Sequence, residues 1–208
     1  IIYIMYTFRT QIQTLAGDIH TPVTTYLKLR DLFPQSALME SADRQEPEGG
    51  RSFIGLCPIA SIAVSHGTVV TRMPDGVRTE VPLPTGHEGM AFALRDFLDR
   101  FRVEGEGNRY CGLYGYTSFN AVRYLENIPV KDSHDKRNDA PDALYILYRY
   151  LIVFNDAGHE MRIVEMVPEG EESGMEPVVK AVMNRNFPLY PFAPVGEVTS
   201  TLTDDEHR

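Results

Sequence analysis

Hydrophobic and polar positions along this chain follow registers that change at turn-forming residues. From Tyr3 to Ile12 aromatic and β-branched residues predominate, the composition of a strand. A helix is predicted next: the Thr21 hydroxyl can cap it, and Pro22 fits its first turn. Val23, Tyr26, Leu27, Leu29, Leu32 and Phe33 recur at the three- and four-residue spacing of one buried face until Pro34 ends it. Three short β-like runs follow, Ser36 to Ser41, Arg51 to Cys57 and Ala60 to Ser65, and His66-Gly67 turns the chain into Thr68 to Met73.

From Glu88 to Arg102 the pattern is helical, with Met90, Leu94, Phe97, Leu98 and Phe101 on one face and charged residues elsewhere. A glycine-rich loop, Glu104 to Asn108, closes that helix. Leu144 to Phe154 is apolar almost without interruption and predicts a central strand buried on both faces. Asp156-Ala157-Gly158 then turns into Met161 to Val167. Beyond an acidic stretch, Glu169 to Glu176, a helix is predicted over Pro177 to Arg185. Pro188, Pro191 and Pro194 make Phe187 to Val195 an extended connector. Thr203-Asp204-Asp205-Glu206 matches a capping box, so a further helix is expected to begin there and to be cut short at a domain boundary.

Composition narrows the classes. With 208 residues, 43% of them hydrophobic and 10% aromatic, the chain can bury a core. A formal charge of -9, from 29 acidic and 20 basic residues, lacks the basic face that nucleic acid requires. No apolar run is long enough to span a membrane. Ile1 to Phe8 is too short, and lacks the basic flank, to be a signal peptide, so a cytosolic protein without membrane or nucleic-acid partners is expected. Cys57 and Cys111 stand far apart, outside any metal-ligand spacing, and are expected to be buried, reduced thiols. The scattered histidines are read as surface or loop residues.

Several chemistries have no signature here. There is no Walker loop, dinucleotide fingerprint, nucleophile elbow or HExxH. The adjacent carboxylates Glu171-Glu172 and Asp204-Asp205 lie in polar segments and read as solvated charge.

One segment departs from ordinary strand composition: Leu38-Met39-Glu40-Ser41, a loop, then Arg51-Ser52-Phe53. If the two strands pair, a carboxylate, hydroxyls and a guanidinium gather beside apolar side chains, with Leu38 and Glu40 on one face and Met39 and Ser41 on the other. Two readings stay open. Glu40 and Arg51 form a rim salt bridge worth less than about 1 kcal/mol, or the segment receives a zwitterionic amino acid, Glu40 meeting its ammonium and Arg51 its carboxylate.

The strings TTYLKLRDLFP (Thr24 to Pro34), ALMESAD (Ala37 to Asp43), RSFIGLCPIASI (Arg51 to Ile62) and GLYGYTSFNAVRYLE (Gly112 to Glu126) together resemble the N-terminal domain of anthranilate synthase component I. That resemblance implies an α+β fold, two antiparallel β-sheets packed face to face with helices on the outside. It implies a regulatory domain over residues 1–186, and over 187–208 a connector and the start of an absent catalytic domain. It also implies an enzyme that converts chorismate to anthranilate and pyruvate, with Mg2+ and with ammonia from a glutamine amidotransferase subunit, under inhibition by tryptophan. Magnesium ligands and chorismate contacts are expected in the catalytic part, leaving no cofactor and no turnover to this chain alone. The inhibitor pocket, by resemblance, is formed by Leu38, Glu40, Ser41, Arg51 and Ser52, with Phe53 beside them.

Two positions depart from the family pattern: Arg51 stands where Lys is frequent, and Asn120 where Asp is usual. The related N-terminal domain of aminodeoxychorismate synthase component I, and an amino-acid-binding module without an enzyme, are the alternatives.

Overall fold

A computed structural model describes residues 4–40, 51–86, 88–126, 128, 140–155, 160–185, 187, 191, 193–196, 200, 203 and 205. Nine strands and three α-helices follow in the order β1 (Tyr6–Ala16), α1 (Pro22–Leu29), β2 (Ala37–Met39), β3 (Arg51–Ser65), β4 (Thr68–Arg72), β5 (Arg78–Pro82), α2 (Gly89–Leu98), β6 (Phe101–Glu104), β7 (Leu113–Thr117), β8 (Ala143–Asn155), β9 (Glu160–Pro168) and α3 (Met175–Met183). Two 3-10 turns, Glu106–Tyr110 and Phe119–Tyr124, flank β7. The class is α+β.

Hydrogen bonding joins the strands into one nine-stranded sheet of order β5-β4-β3-β8-β9-β1-β6, with β2 on β3 and β7 on β8. Two separate sheets are therefore not formed, and the β1–β6 pair is parallel rather than antiparallel. Two wings nevertheless arise, because β3 and β8 are long and each lacks a second neighbour at its middle. β2 pairs with β3 up to Gly55 and β4 resumes only at Ser61. On β8, β7 reaches Leu147 and β9 begins at Tyr150.

At this waist β3 carries a bulge between Pro58 and Ala60, and Cys57 adopts φ 56. Proline has no N–H to give a ladder, so an unpaired, bulged position is where a mid-strand proline fits. Strands that bend at such bulges can pass from one layer to another. The buried cluster that joins Phe8 and Met166 of one wing to Ile62, Val64 and Val69 of the other, with Met90 and Phe97 of α2, shows the wings packed on each other. At their rim the Tyr6 hydroxyl donates to Asp75 at 2.7 Å.

The first wing's other face is covered by α1 and α3. Leu29, Val178 and Val182 bury against Ile54, Leu56, Ile152 and Ile163. Thr21 caps α1 as expected, accepting from the Thr24 N–H at 3.1 Å, and Lys28 donates to the Val182 carbonyl of the last turn of α3 at 2.9 Å. Glu165 of β9 is fully buried yet satisfied. It accepts from the Ser173 hydroxyl at 2.6 Å, the Gly174 N–H at 2.9 Å and Arg149 at 3.2 Å, fastening the start of α3 to the sheet.

Several expectations are corrected. α1 stops at Leu29, and Leu32 is exposed, because Gln35 at φ 60 turns the chain into β2. The two runs from Arg51 to Ser65 are one strand. Phe101 does not extend α2; it opens β6 beside Tyr6, yet still meets Phe97 at 5.1 Å between ring centroids, so the periodicity of apolar positions is met by a turn. The glycine-rich loop is a 3-10 turn with Gly107 buried. Glu171 is exposed, as expected of solvated charge, and also pairs with Arg149 at 3.2 Å. Both cysteines are free, but half-buried. The turn at 156–158, His87, His134, His159, His207, and much of the connector lie outside the described residues. No helix among the described residues is long and apolar enough to cross a membrane.

Two stability measurements follow. Glu165→Ala leaves the Arg149 guanidinium without its buried partner and is expected to cost about 3–5 kcal/mol. This is read as a lower urea midpoint at unchanged slope; a loss under 1 kcal/mol would contradict it. The Tyr6 phenol, pushed up from 10.0 to about 12 by burial and then by its bond to Asp75, is held neutral by the fold. Its contribution is complete below pH 10 and declines as pH rises toward 12, so Tyr6→Phe is expected to lose less stability than wild type between those values. Asp75, held low mainly by the Tyr6 hydroxyl, contributes above the ordinary carboxylate range and declines as pH falls through its lowered value; equal acid limbs in wild type and Tyr6→Phe would contradict the link.

Candidate functional site

The hairpin of β2 and β3 brings the candidate residues together, but not onto one surface. Leu38 pairs with Ile54 and Met39 with Phe53, and directly opposed residues of an antiparallel pair share a face. Leu38 is half-buried in the cluster of Leu29, Ile54 and Val178 beneath α1 and α3. Ser52, on that same face by alternation, is buried. Phe53 lies on the opposite face against Tyr114, their rings 5.4 Å apart and tilted by 45°. Arg51 alternates with Ser52 and so shares Phe53's face, exposed at the first position of β3. Glu40, directly after β2, is exposed. Ser41 lies outside the described residues.

The face carrying Ala37 and Met39 opens into a cleft of about 940 Å³ at the waist, walled by Pro58, Ile59, Tyr116 and Tyr148. Strand register sets one row across it. Arg72 of β4 opposes Ser61 of β3, Ser61 opposes Ile146 of β8, and Ile146 opposes Tyr114 of β7. All four therefore stand on one face. The tyrosines are held by their neighbours: the Tyr114 hydroxyl donates to the Tyr110 carbonyl, and Tyr148 donates to the Gln35 carbonyl at 3.2 Å. Burial pushes the Tyr114 phenol to about 12 and the nearby Cys111 thiol to about 11, so both are neutral at physiological pH.

Among the described residues Arg72 is the only charged one lining the cleft. It has no ion-pair partner among the described residues, whereas its neighbour Arg78 is paired with Glu80 at 2.8 Å. Sequence reasoning placed Met39 opposite Leu38 in facing, but missed this cleft, because the row depends on the register of four strands. Among the described residues no group of three or more His, Cys, Asp or Glu is placed to hold a metal ion.

Comparison with known proteins gives a consistent result. Anthranilate synthase component 1 of Pseudomonas putida is 34% identical over 168 residues, covering 79% of this chain and 33% of that protein. The chain is similar to part of anthranilate synthase component I. The proteins of that name from Pseudomonas aeruginosa (30% over 167 residues, 79% of this chain and 33% of the relative) and Thermus thermophilus (29% over 160 residues, 77% and 32%) match in the same way. The chain thus spans about a third of the length of the curated relatives it matches. No family model matches. A crystal structure of anthranilate synthase component I from Streptococcus pneumoniae TIGR4 aligns with 81% of this chain and 34% of its own, at 18% identity and TM-score 0.43.

Within the GLYGYTS string shared with the anthranilate synthase pattern, Gly115 has a steric reason. A Cβ there would lie 1.9 Å from the Leu144 carbonyl oxygen of the adjoining strand. Gly115→Ala is expected to push β7 away from β8, cost about 1–3 kcal/mol, and speed amide exchange along the pair from Leu113 to Thr117. Wild-type stability and exchange in this variant would show that β7 is not held at this contact.

Proposed function

We propose that this chain is the N-terminal, tryptophan-sensing regulatory part of an anthranilate synthase component I. The complete enzyme converts chorismate to anthranilate and pyruvate in the cytoplasm, with Mg2+ bound in its catalytic part and ammonia supplied by a glutamine amidotransferase subunit. The observation that carries this reading is the shared name of the relatives, which match nearly four fifths of the chain with about a third of their own length. The effector site lies at the open end of the β2–β3 hairpin. Arg51 and Glu40 are both exposed there, able to meet the carboxylate and ammonium of an amino acid; Ser41, next in sequence to Glu40, is assigned a hydroxyl contact, and Ser52, buried on the core face, seats the strand beneath Arg51. Leu38 shapes the site from the core side, by holding β2 against Ile54, and Phe53 from the other side, through its contact with Tyr114.

An inhibitor held this way acts through a coupling free energy between its own site and a distant reaction centre. In the complete enzyme, Arg51→Ala or Ser41→Ala removes a charge-assisted or partly buried hydrogen bond worth about 1.5–3 kcal/mol, which weakens tryptophan inhibition roughly 10- to 150-fold. Uninhibited turnover should change little. Inhibition curves for both variants and the wild type test this; wild-type midpoints in both would remove the site from this hairpin.

A further inference from the structure

We infer that the cleft on the Met39–Tyr114 face is a second ligand site, one that takes a small aromatic carboxylate without an ammonium group. The inference is independent of the hairpin reading and rests on charge and shape. Among the described residues of the lining Arg72 is the only charged one, so these residues offer a cation and no carboxylate to receive an amine. The nearest acid in sequence, Asp75, is engaged elsewhere: it accepts from the Tyr6 hydroxyl at 2.7 Å and the Val77 N–H at 3.0 Å. Arg78, opposite Arg72 in the β4–β5 register, is neutralised by Glu80. A guanidinium without an ion-pair partner among the described residues, at the rim of a largely apolar cleft, selects an amphipathic anion.

The apolar part of the ligand is specified by the walls. Tyr114, Tyr116 and Tyr148 present rings and Met39 a thioether, groups that favour an aromatic partner over an aliphatic one. Register sets the length. Arg72 and Tyr114 stand three strand spacings apart, roughly 14 Å between backbones. The cleft of about 940 Å³ that both residues line has room for one ring and a short acid arm. A zwitterion would bring an ammonium to a site whose described lining residues carry no acceptor charge, which sets this cleft apart from the hairpin end where Glu40 stands.

The test uses the 208-residue chain, titrated separately with 3-phenylpropionate and with 2-phenylethylamine and followed by NMR shifts of Met39, Ile146 and Tyr116. The acid is expected to give saturable shifts at these residues and the amine none. Arg72→Gln should weaken the acid roughly tenfold. Tyr116→Ser, at a side chain 42% exposed and so removable without unfolding, should weaken it severalfold. Arg51→Gln should leave it unchanged, which keeps this site distinct from the hairpin. Equal binding of amine and acid, or undiminished affinity in Arg72→Gln, overturns the proposal. So does a dimer by sedimentation that shields Tyr116 while 3-phenylpropionate produces no shift, since the face would then belong to a second copy of the chain.

Discussion

The antiparallel pairing of β3 with β8 runs from Arg51 and Asn155 at one end to Val64 and Ala143 at the other, interrupted by a single bulge, and every other strand attaches to it directly or through a neighbour. Only Arg51 in either strand is exposed, so slipping the register by one residue would turn Ile54, Ile62, Leu151 and Val153 to the wrong faces at once. That constraint makes the bulge consequential. One extra residue at Ile59 restores the alternation on both sides while bending the strand. The bend lets one sheet present two wings to each other, and the same waist, left without second neighbours, becomes the cleft.

Two buried carboxylates tie the irregular segments to this frame. Burying a charge is tolerable only when partners replace the lost water, and each of these carboxylates has three. Glu165 gathers Ser173, Gly174 and Arg149, and so sets where α3 begins. Asp142, just before β8, accepts from Arg123 at 2.5 Å, Tyr124 at 2.8 Å and the His66 N–H at 3.3 Å. It thereby links the turn after β7 to the β3–β4 hairpin. Arg123 and Tyr124 belong to the string that resembles the anthranilate synthase family, and their polar side chains in an otherwise apolar region have a structural duty here: they satisfy a buried acid.

The hairpin end and the cleft are close in the fold but differ in electrostatics. The hairpin end carries both signs of charge, on Glu40 and Arg51, in exposed positions where water screens each of them. Among its described residues the cleft carries one sign, on Arg72, beside rings held by hydrogen bonds to neighbouring carbonyls. Met39 lines the cleft while Leu38, one residue earlier, faces the α1–α3 core, so a single step along β2 separates two environments.

Local pattern alone was enough to reveal the capped start of α1, the amphipathic body of α2, the long buried β8 and its successor β9. Each of these is encoded in consecutive residues whose spacing reflects one buried face. The resemblance carried by ALMESAD and GLYGYTSFNAVRYLE was legible for the same reason, as contiguous strings. What was not legible depends on partners distant in the chain. Phe101 could continue α2 or open β6 with equal satisfaction of its apolar side chain, and the hydrogen bonds to Tyr6 decided it. Whether the strands made two sheets or one turned on the unpaired middle of β3 and β8. The row of Arg72, Ser61, Ile146 and Tyr114 has no trace in local periodicity, because it exists only when four strands take one register. Sequence determined which residues seek burial, since that preference belongs to the side chain; the tertiary structure decided which of them meet, since only closure of the sheet brings distant strands within a side chain's reach.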